Sequence, residues 1–381
     1  MIITKIRLQN WKNFAEADVS CGKRLFIIGP NASGKSNFLD ALRFLRDVAQ
    51  DGLAKAVANR GSMKSVRYLE ARRPSDVMIS VTLDAMWEYT LAFSANKNNE
   101  PVVTEEKVRR FENGQEKIIL NRPDDKDIGD TVRLTQTALQ QVNTNQEFRE
   151  IAEFFSSIQY RHILPQLVRD PSGFSPIPAK NDPYGRDIIA QIWNTPEKTR
   201  NVRLKKISEA LGIAVPQFQN LSVELNQNTG IPHLKVNYAH WRSRGAYQNE
   251  SAFSDGTLRL LTLLWSLFDT SGPLLLEEPE ISLHEDIIRQ LPGFFARLDK
   301  SRKKTIRQIF ITTHAEAMLS DPGIGANEVL RCEPGNEGSV IHGASEEDRR
   351  LMTEGGLTAA EALLPKTQPP HIEQLSLFSL L

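Results

Sequence analysis

The stretch LFIIGPNASGKSN, residues 25–37, decides the fold of this chain. A short apolar run leads into a loop of the form G-x-x-x-x-G-K-S. After the loop, apolar side chains recur at helical spacing from Phe38 to Val48. The pattern predicts a strand, a glycine loop and a helix in succession, which is half of a βαβ unit.

The loop has a specific chemical use. Its glycines let backbone N–H groups curl around phosphates at a helix N-terminus. Lys35 would reach the β- and γ-phosphates, and Ser36 would offer its hydroxyl to Mg²⁺. A chance glycine turn is the alternative, but context and spacing favour a site for ATP with Mg²⁺. The predicted nucleotide-binding residues of this loop are Gly29, Pro30, Asn31, Ala32, Ser33, Gly34, Lys35, Ser36 and Asn37.

Two later strands end in polar side chains. LLLEE, residues 274–278, is an apolar strand that ends in two acids, and ligands of open α/β sheets bind at such carboxyl ends. We expect Glu277 to hold Mg²⁺ and Glu278 to orient or deprotonate the attacking water. IFITT, residues 309–313, ends at His314, which can hydrogen-bond the γ-phosphate or that water. A structural histidine is the alternative for His314.

A fourth motif, FSDGTLRLL, opens an apolar helix and by itself indicates no more than a helix N-cap. In order along the chain, however, IRLQNWKNF, GPNASGKSN, FSDGTLRLL, LLLEEPEISLH and ITTH resemble the ATP-binding cassette ATPases. The resemblance is to the branch that includes RecF, the SMC heads and the OLD-type ATPases. It covers residues 1–50 and 250–343.

This resemblance implies that two heads sandwich two ATP molecules, so that the chain forms a homodimer on ATP. The signature of one protomer would touch the γ-phosphate held by its partner, and the signature residues here are Ser254, Asp255 and Gly256. Most cassette ATPases have Asp where Glu277 stands, so Mg²⁺ binding is expected to persist and turnover is less predictable. The glutamine of the family's glutamine loop could be Gln166, Gln140 or Gln159. The turn Trp11-Lys12-Asn13 resembles a loop that borders the base, although Trp11 could equally be core.

The predicted fold class is α/β, a cassette ATPase head with a mixed sheet whose core is split between the N- and C-terminal parts. An antiparallel β subdomain and a helical insertion would lie between those parts. The predicted organisation is an N-terminal lobe with the phosphate loop, a β-rich segment, a helical insertion, a C-terminal lobe and a flexible tail, at residues 1–60, 61–145, 146–220, 221–363 and 364–381.

Composition favours an ordinary globular protein. Charged residues make up 25%, and 47 basic residues balance 47 acidic ones, so attraction to DNA would need local patches. The longest apolar stretch, residues 260–268, is much shorter than the roughly 20 residues of a membrane helix. The N-terminus lacks the apolar region of a secretory signal, and the chain has two cysteines. We expect a cytoplasmic, reduced protein without a membrane partner.

Three basic clusters are candidates for DNA phosphate contacts, although solvated faces are the simpler interpretation. They are Arg60, Lys64, Arg67, Arg72 and Arg73; Lys198, Arg200, Arg203, Lys205 and Lys206; and Arg302, Lys303, Lys304 and Arg307.

The C-terminal tail carries the peptide QLSLF after a proline-rich stretch. It resembles the peptide with which bacterial polymerases and repair factors bind the sliding clamp. Gln374 would be the polar anchor, and Leu377 with Phe378 the apolar wedge. The predicted partner-binding residues are Gln374, Leu375, Leu377 and Phe378. Packing of this peptide on the protein itself is the alternative.

The sequence thus favours an ATPase that acts in DNA maintenance or anti-phage defence. The part after His314 is too short for the nuclease domain that follows the ATPase in OLD proteins, so an effector nuclease is expected in trans. The main alternative is a non-catalytic, ATP-gated scaffold that holds an effector or DNA. The energy subunit of a transporter is a more distant alternative.

Overall fold

A computed structural model describes residues 1–71, 75–170, 182–239, 246–268, 272–301 and 307–368 of the chain. Their contacts divide them into two units. The first unit takes in Met1–Gln159, Ser271–Leu275 and Phe295–Leu381, and the second takes in Tyr160–Thr270 and Leu276–Phe294.

The strands of the described residues are, in chain order, β1 (Ile3–Trp11), β2 (Phe14–Ser20), β3 (Arg24–Ile28), β4 (Val77–Leu83), β5 (Trp87–Ala95), β6 (Pro101–Glu112), β7 (Gln115–Arg122), β8 (Gln159–Arg161), β9 (Phe218–Leu225), β10 (Pro232–Tyr238), β11 (Ala246–Gln248), β12 (Leu274–Glu277), β13 (Ile309–Thr312), β14 (Val329–Gly335) and β15 (Gly338–Gly343).

The helices are α1 (Lys35–Asp51), α2 (Leu53–Ala58), α3 (Met63–Val66), α4 (Asp125–Gly129), α5 (Arg149–Ser156), α6 (Pro165–Arg169), α7 (Ile188–Asn194), α8 (Glu197–Ala214), α9 (Asp255–Phe268), α10 (Glu285–Ser301), α11 (Glu316–Leu319), α12 (Glu346–Thr353) and α13 (Ala359–Leu363). Short 3-10 turns lie at Thr131–Thr135, Gln146–Phe148, Glu250–Ala252, Ala326–Glu328 and Leu364–Thr367. The helices of the described residues include none that is long and apolar enough to cross a membrane.

The large sheet is mixed, as the sequence predicts. Its order is β7-β6-β5-β4-β1-β2-β15-β14-β3-β13-β12-β8, and β8 and β12 each begin in the first unit and end in the second. Strands β4 to β7 pair antiparallel, which confirms the predicted antiparallel segment. Because β4 also pairs with β1, that segment continues the core sheet instead of forming a separate one.

Strand β3 lies between two parallel neighbours, β13 and β14. The carboxyl ends of parallel strands meet at one edge of a sheet, and this edge is where α/β proteins bind ligands. The loop after β3 and the residues after β13 therefore lie at the same edge of the first unit.

Helix α1 is fixed to the sheet by aromatic packing. The ring of Phe44 lies 5.2 Å from the ring of Trp11 and 5.2 Å from that of Phe93, measured between centroids. All three side chains are fully buried. This packing is expected to hold the N-terminus of α1, and the loop before it, in a fixed position.

In the second unit, β9, β10 and β11 form a small antiparallel sheet. Helix α8 packs on β9, and α9 packs on α8. The ring of Phe253, just before α9, lies 5.5 Å from the ring of Phe218 in β9. This contact fixes the start of α9 relative to the small sheet.

Both cysteines, Cys21 and Cys332, are buried and free. Burial raises the pKa of each thiol to about 12, so neither is a reactive thiolate at neutral pH.

Candidate active site

The loop between β3 and α1 has the backbone of a phosphate cradle. Gly29, Ala32 and Gly34 have φ angles of +152°, +61° and +104°. A side chain on Gly29 would place its Cβ 2.2 Å from the carbonyl oxygen of Cys332. A side chain on Gly34 would meet the Asn13 amide at 2.4 Å. Only glycine fits both positions, which gives a steric reason for the two glycines of the motif.

The loop also has groups that suit a polyphosphate. Lys35 is buried, and its Nζ donates to the carbonyl oxygens of Gly29 and Pro30 at 2.9 Å each. The Ser33 hydroxyl is fully buried without a hydrogen-bond partner among the described residues. The N-cap residue of α1, Gly34, makes no side-chain cap, and the N-terminus of a helix favours an anion. These residues fit a nucleotide, and Ser36 is exposed beside them.

The N-terminal turn supports the loop from the side. Trp11 is fully buried, and its indole N–H donates to the carbonyl of Asn37 at 2.7 Å. The Asn37 amide donates to Asn13 at 2.8 Å, and Asn13 donates to Ser339. Of the two interpretations of Trp11, the structure places it in the core, where it holds the first turn of α1.

The residues after β13 share a cavity with the first half of the loop. This cavity of about 720 Å³ is lined by Gly29, Asn31, Thr313 and His314, among others. His314 is exposed, so it does not have the buried position of a structural histidine. The Thr313 amide bonds the Ile27 carbonyl at 3.2 Å, which fixes the strand end from which His314 projects.

The acidic strand end lies in the second unit. Glu277 and Glu278 are both partly exposed at the end of β12. The Tyr160 hydroxyl donates a hydrogen bond to the Glu277 carboxylate. Glu278 has a φ of +43°, which is unusual for a residue with a side chain and marks a sharp turn directly after the strand.

A buried arginine lies close to this acidic turn. Arg259 on α9 is 5% exposed, and its Nε and Nη1 have no hydrogen-bond partner among the described residues. Burial lowers the pKa of its guanidinium, and the carboxylates of Asp255, Glu280 and Glu278 oppose that shift. The guanidinium of Arg259 on α9 therefore interacts electrostatically with the carboxylates of the acidic turn.

The signature turn is built for close approach. The exposed Ser254 accepts a hydrogen bond from the Thr257 amide at 3.2 Å and so caps α9. A Cβ on Gly256 would lie 2.5 Å from the carbonyl oxygen of Ser282, a residue with φ of +65°. Glycine at 256 thus lets the signature turn pack on the turn that follows the acidic strand.

Of the three glutamines, Gln166 lies nearest the signature. Its amide donates to Asp255 at 3.3 Å, and Arg169 of the same helix, α6, also bonds Asp255. Gln140 instead accepts from the Leu53 amide at 3.1 Å, and Gln159 accepts from Arg307 at 2.8 Å. Gln140 and Gln159 therefore form these bonds with other residues of the first unit.

Several members of the basic clusters are engaged within the protein. Arg60 pairs with Asp40 and Asp47 at 2.8 and 2.9 Å, and with Lys12 it holds the pKa of Asp40 at about 2 in spite of burial. Arg200 and Arg203 stack on tryptophan rings. Arg307 is 8% exposed. Outside the described residues lie Arg72, Arg73, Arg302, Lys303, Lys304 and the tail peptide with Gln374, Leu375, Leu377 and Phe378.

Sequence reasoning missed Tyr160, and it missed that Nε and Nη1 of Arg259 have no hydrogen-bond partner in the described part of the chain. Tyr160 is 117 residues away from Glu277. No spacing rule connects residues that far apart, so only the fold could identify this pair.

The fold is that of the SMC head. A solved SMC head bound to the C-terminal winged-helix domain of ScpA has a TM-score of 0.54 and 15% identity, over 91% of this chain and 98% of that chain. The SMC head domain from Thermotoga maritima has a TM-score of 0.45 and 16% identity, over 91% and 100%. At 15% identity the likeness to the first of these structures concerns the fold alone.

Sequence comparison gives the family. None of the curated proteins compared with the chain matches it. A family model described as "AAA domain, putative AbiEii toxin, Type IV TA system" matches residues 25–320, which span the loop, the signature, the acidic strand and His314. The match covers well over half of the 381 residues. The chain therefore belongs to this family of AAA domains.

Proposed function

We propose that this protein hydrolyses ATP and uses the reaction to switch a homodimer between two states. The observation that carries the proposal is the cradle before α1. Two positions there tolerate only glycine, Lys35 is buried at the start of α1, and the N-cap residue Gly34 makes no side-chain cap. A loop built in this way serves to hold phosphates.

Each predicted residue then has a task. Lys35 would neutralise charge on the terminal phosphates, and Ser36 with Glu277 would hold the Mg²⁺ that accompanies ATP. Glu278 would accept a proton from the attacking water, or orient that water. His314, exposed on the cavity, would donate a hydrogen bond to the γ-phosphate.

The signature is proposed to act on the nucleotide of a second copy. Ser254 is exposed at the start of α9, and Gly256 lets this turn pack closely on Ser282 of the same chain. The first amides of α9 would then face the partner's γ-phosphate, as helix N-termini face anions elsewhere. ATP between two copies would thus hold a symmetric dimer together.

We further propose that the switch serves DNA maintenance or anti-phage defence. The fold of an SMC head and the family description, which names a toxin of a type IV toxin–antitoxin system, support this direction. A separate effector such as a nuclease would carry out the chemistry on the target. DNA contacts would fall to exposed basic residues such as Lys205 and Lys206.

One observation favours the scaffold as a second candidate. Glu277 is one methylene longer than the usual Asp, and its carboxylate already accepts a hydrogen bond from Tyr160. A carboxylate engaged in this way would hold Mg²⁺ less readily. In that case ATP would close the dimer around DNA or an effector without appreciable turnover.

Steady-state hydrolysis of ATP with Mg²⁺, measured with and without DNA, tests the proposed function. We expect the wild-type protein to release phosphate, and Lys35→Ala to lower the rate on the order of a hundredfold because a cation at the terminal phosphates is lost. Lys55→Ala is the matched control, since Lys55 is exposed and pairs only with Asp51 among the described residues. ATP binding without turnover under either condition would favour the scaffold, and no ATP binding would contradict both candidates.

The tail is proposed to bind a bacterial sliding clamp. A short extended peptide with few anchors binds weakly, so we expect affinity in about the micromolar range. The measurement is a titration of a clamp with a peptide of residues 371–381, and the control is its Leu377→Ala, Phe378→Ala variant. Apolar anchors usually carry most of such binding. Absence of binding by the parent peptide, or equal binding by both peptides, would exclude this partner.

A further inference from the structure

The cavity beside the phosphate loop has a wall that comes from the other end of the chain. Besides Gly29, Asn31 and His314, it is lined by Leu364, Lys366, Thr367 and Gln368, which we name the C-terminal wall. Most of this wall lies in the 3-10 turn Leu364–Thr367, directly after α13. A segment more than 300 residues beyond the loop therefore shares its cavity.

The wall is held in place by an ion pair. Lys366 Nζ lies 2.6 Å from Oδ1 of Asp348, whose side chain is 1% exposed. Burial alone would raise the pKa of Asp348, but hydrogen bonds from Lys366 and Ser345 hold it below its usual value. Arg331 approaches the other oxygen of Asp348 at 3.9 Å. Asp348 is thus ionised at neutral pH and fixes the position of the lysine.

Lys366 changes the charge of the cavity. The ionisable groups among the described lining residues are the carboxylates of Glu316 and Glu333, His314 and the ammonium of Lys366. A polyphosphate that entered the cavity would be repelled by both carboxylates. A cation in the same cavity would offset this repulsion. The Lys366 side chain is 38% exposed, and an ammonium has three N–H donors, of which the bond to Asp348 uses one.

We propose that Lys366 binds the terminal phosphate of the nucleotide as a second lysine besides Lys35. The proposal rests on the proposed function. Lys366 and His314 line the same cavity with the first half of the phosphate loop, so the lysine serves the end of the nucleotide to which His314 is assigned. Lys366 recognises the third phosphate of the nucleotide. It therefore raises the affinity of the protein for ATP relative to its affinity for ADP.

Binding of ATP and of ADP, each with Mg²⁺, to the full chain tests this role. For Lys366→Gln we expect affinity for ATP to fall about tenfold, the loss of one charge-assisted hydrogen bond, and affinity for ADP to change less than about twofold. Lys366→Arg keeps the charge and is expected to retain most of the preference for ATP. Lys55→Gln, at an exposed lysine of α2, is the matched control.

The ratio of the two affinities separates recognition from folding. If Lys366→Gln only disturbed the Asp348 pair, ATP and ADP would be affected equally, and that result would overturn the proposal. Unchanged ATP affinity in Lys366→Gln would overturn it as well while leaving the proposed function intact. Failure of the wild-type protein to bind ATP would instead contradict the proposed function itself, and this inference with it.

Discussion

The Glu278→Gln protein is expected to bind ATP, to hydrolyse it about 10² to 10⁴ times more slowly than wild type, and to accumulate as a dimer. Gln keeps the size of Glu and can occupy the same turn with φ of +43°, so the change removes the proton acceptor with little effect on the fold. Phosphate release and the mass of the protein by size exclusion with ATP are the measurements.

Two further variants make this result specific. Lys35→Ala should bind ATP poorly and remain monomeric, because the buried cation at the phosphate cradle is lost. Glu285→Gln controls for loss of a carboxylate, since Glu285 is 64% exposed and pairs with Arg289 on the surface of α10. If Glu278→Gln turns over like wild type, or is no more dimeric with ATP than Lys35→Ala, Glu278 does not have the assigned role.

Local sequence patterns predicted the parts of the fold that depend on neighbouring residues. The strand, loop and helix around residues 25–48 are specified by an apolar run, two obligatory glycines and helical periodicity, and the structure has all three. The acidic strand and the strand before His314 also follow from short apolar runs between polar residues. The residue types within each short segment determine both its burial and its backbone geometry, so a local pattern is enough to predict them.

Contacts between distant parts of the chain could not be predicted in the same way. The sequence predicts the antiparallel β-rich segment but not the strand that it joins: β4 pairs with β1, because the exposed edge of an N-terminal strand offers unpaired backbone groups. The bond from Tyr160 to Glu277 and the cavity that Lys366 shares with Gly29 bring together residues far apart in sequence. Such pairs arise from tertiary packing and leave no periodic signal.

The central claim is that the signature of one copy completes the ATP site of another, and mixing two inactive variants tests it most directly. Lys35→Ala disables the phosphate loop. Ser254→Asn enlarges the exposed signature residue while Asn keeps the capping oxygen that Ser254 provides to α9, so the helix should still form.

In a mixed dimer, one site would combine both defects and the other would combine the intact loop of one copy with the intact signature of its partner. Random pairing sets an upper limit of about a quarter of the wild-type rate of ATP hydrolysis for the mixture. The mixed dimer holds ATP in one site only, so we expect a recovered rate below that limit but clearly above that of either inactive variant alone. The rate is measured as phosphate release at a constant total protein concentration. A mixture as inactive as its two components would contradict the claim.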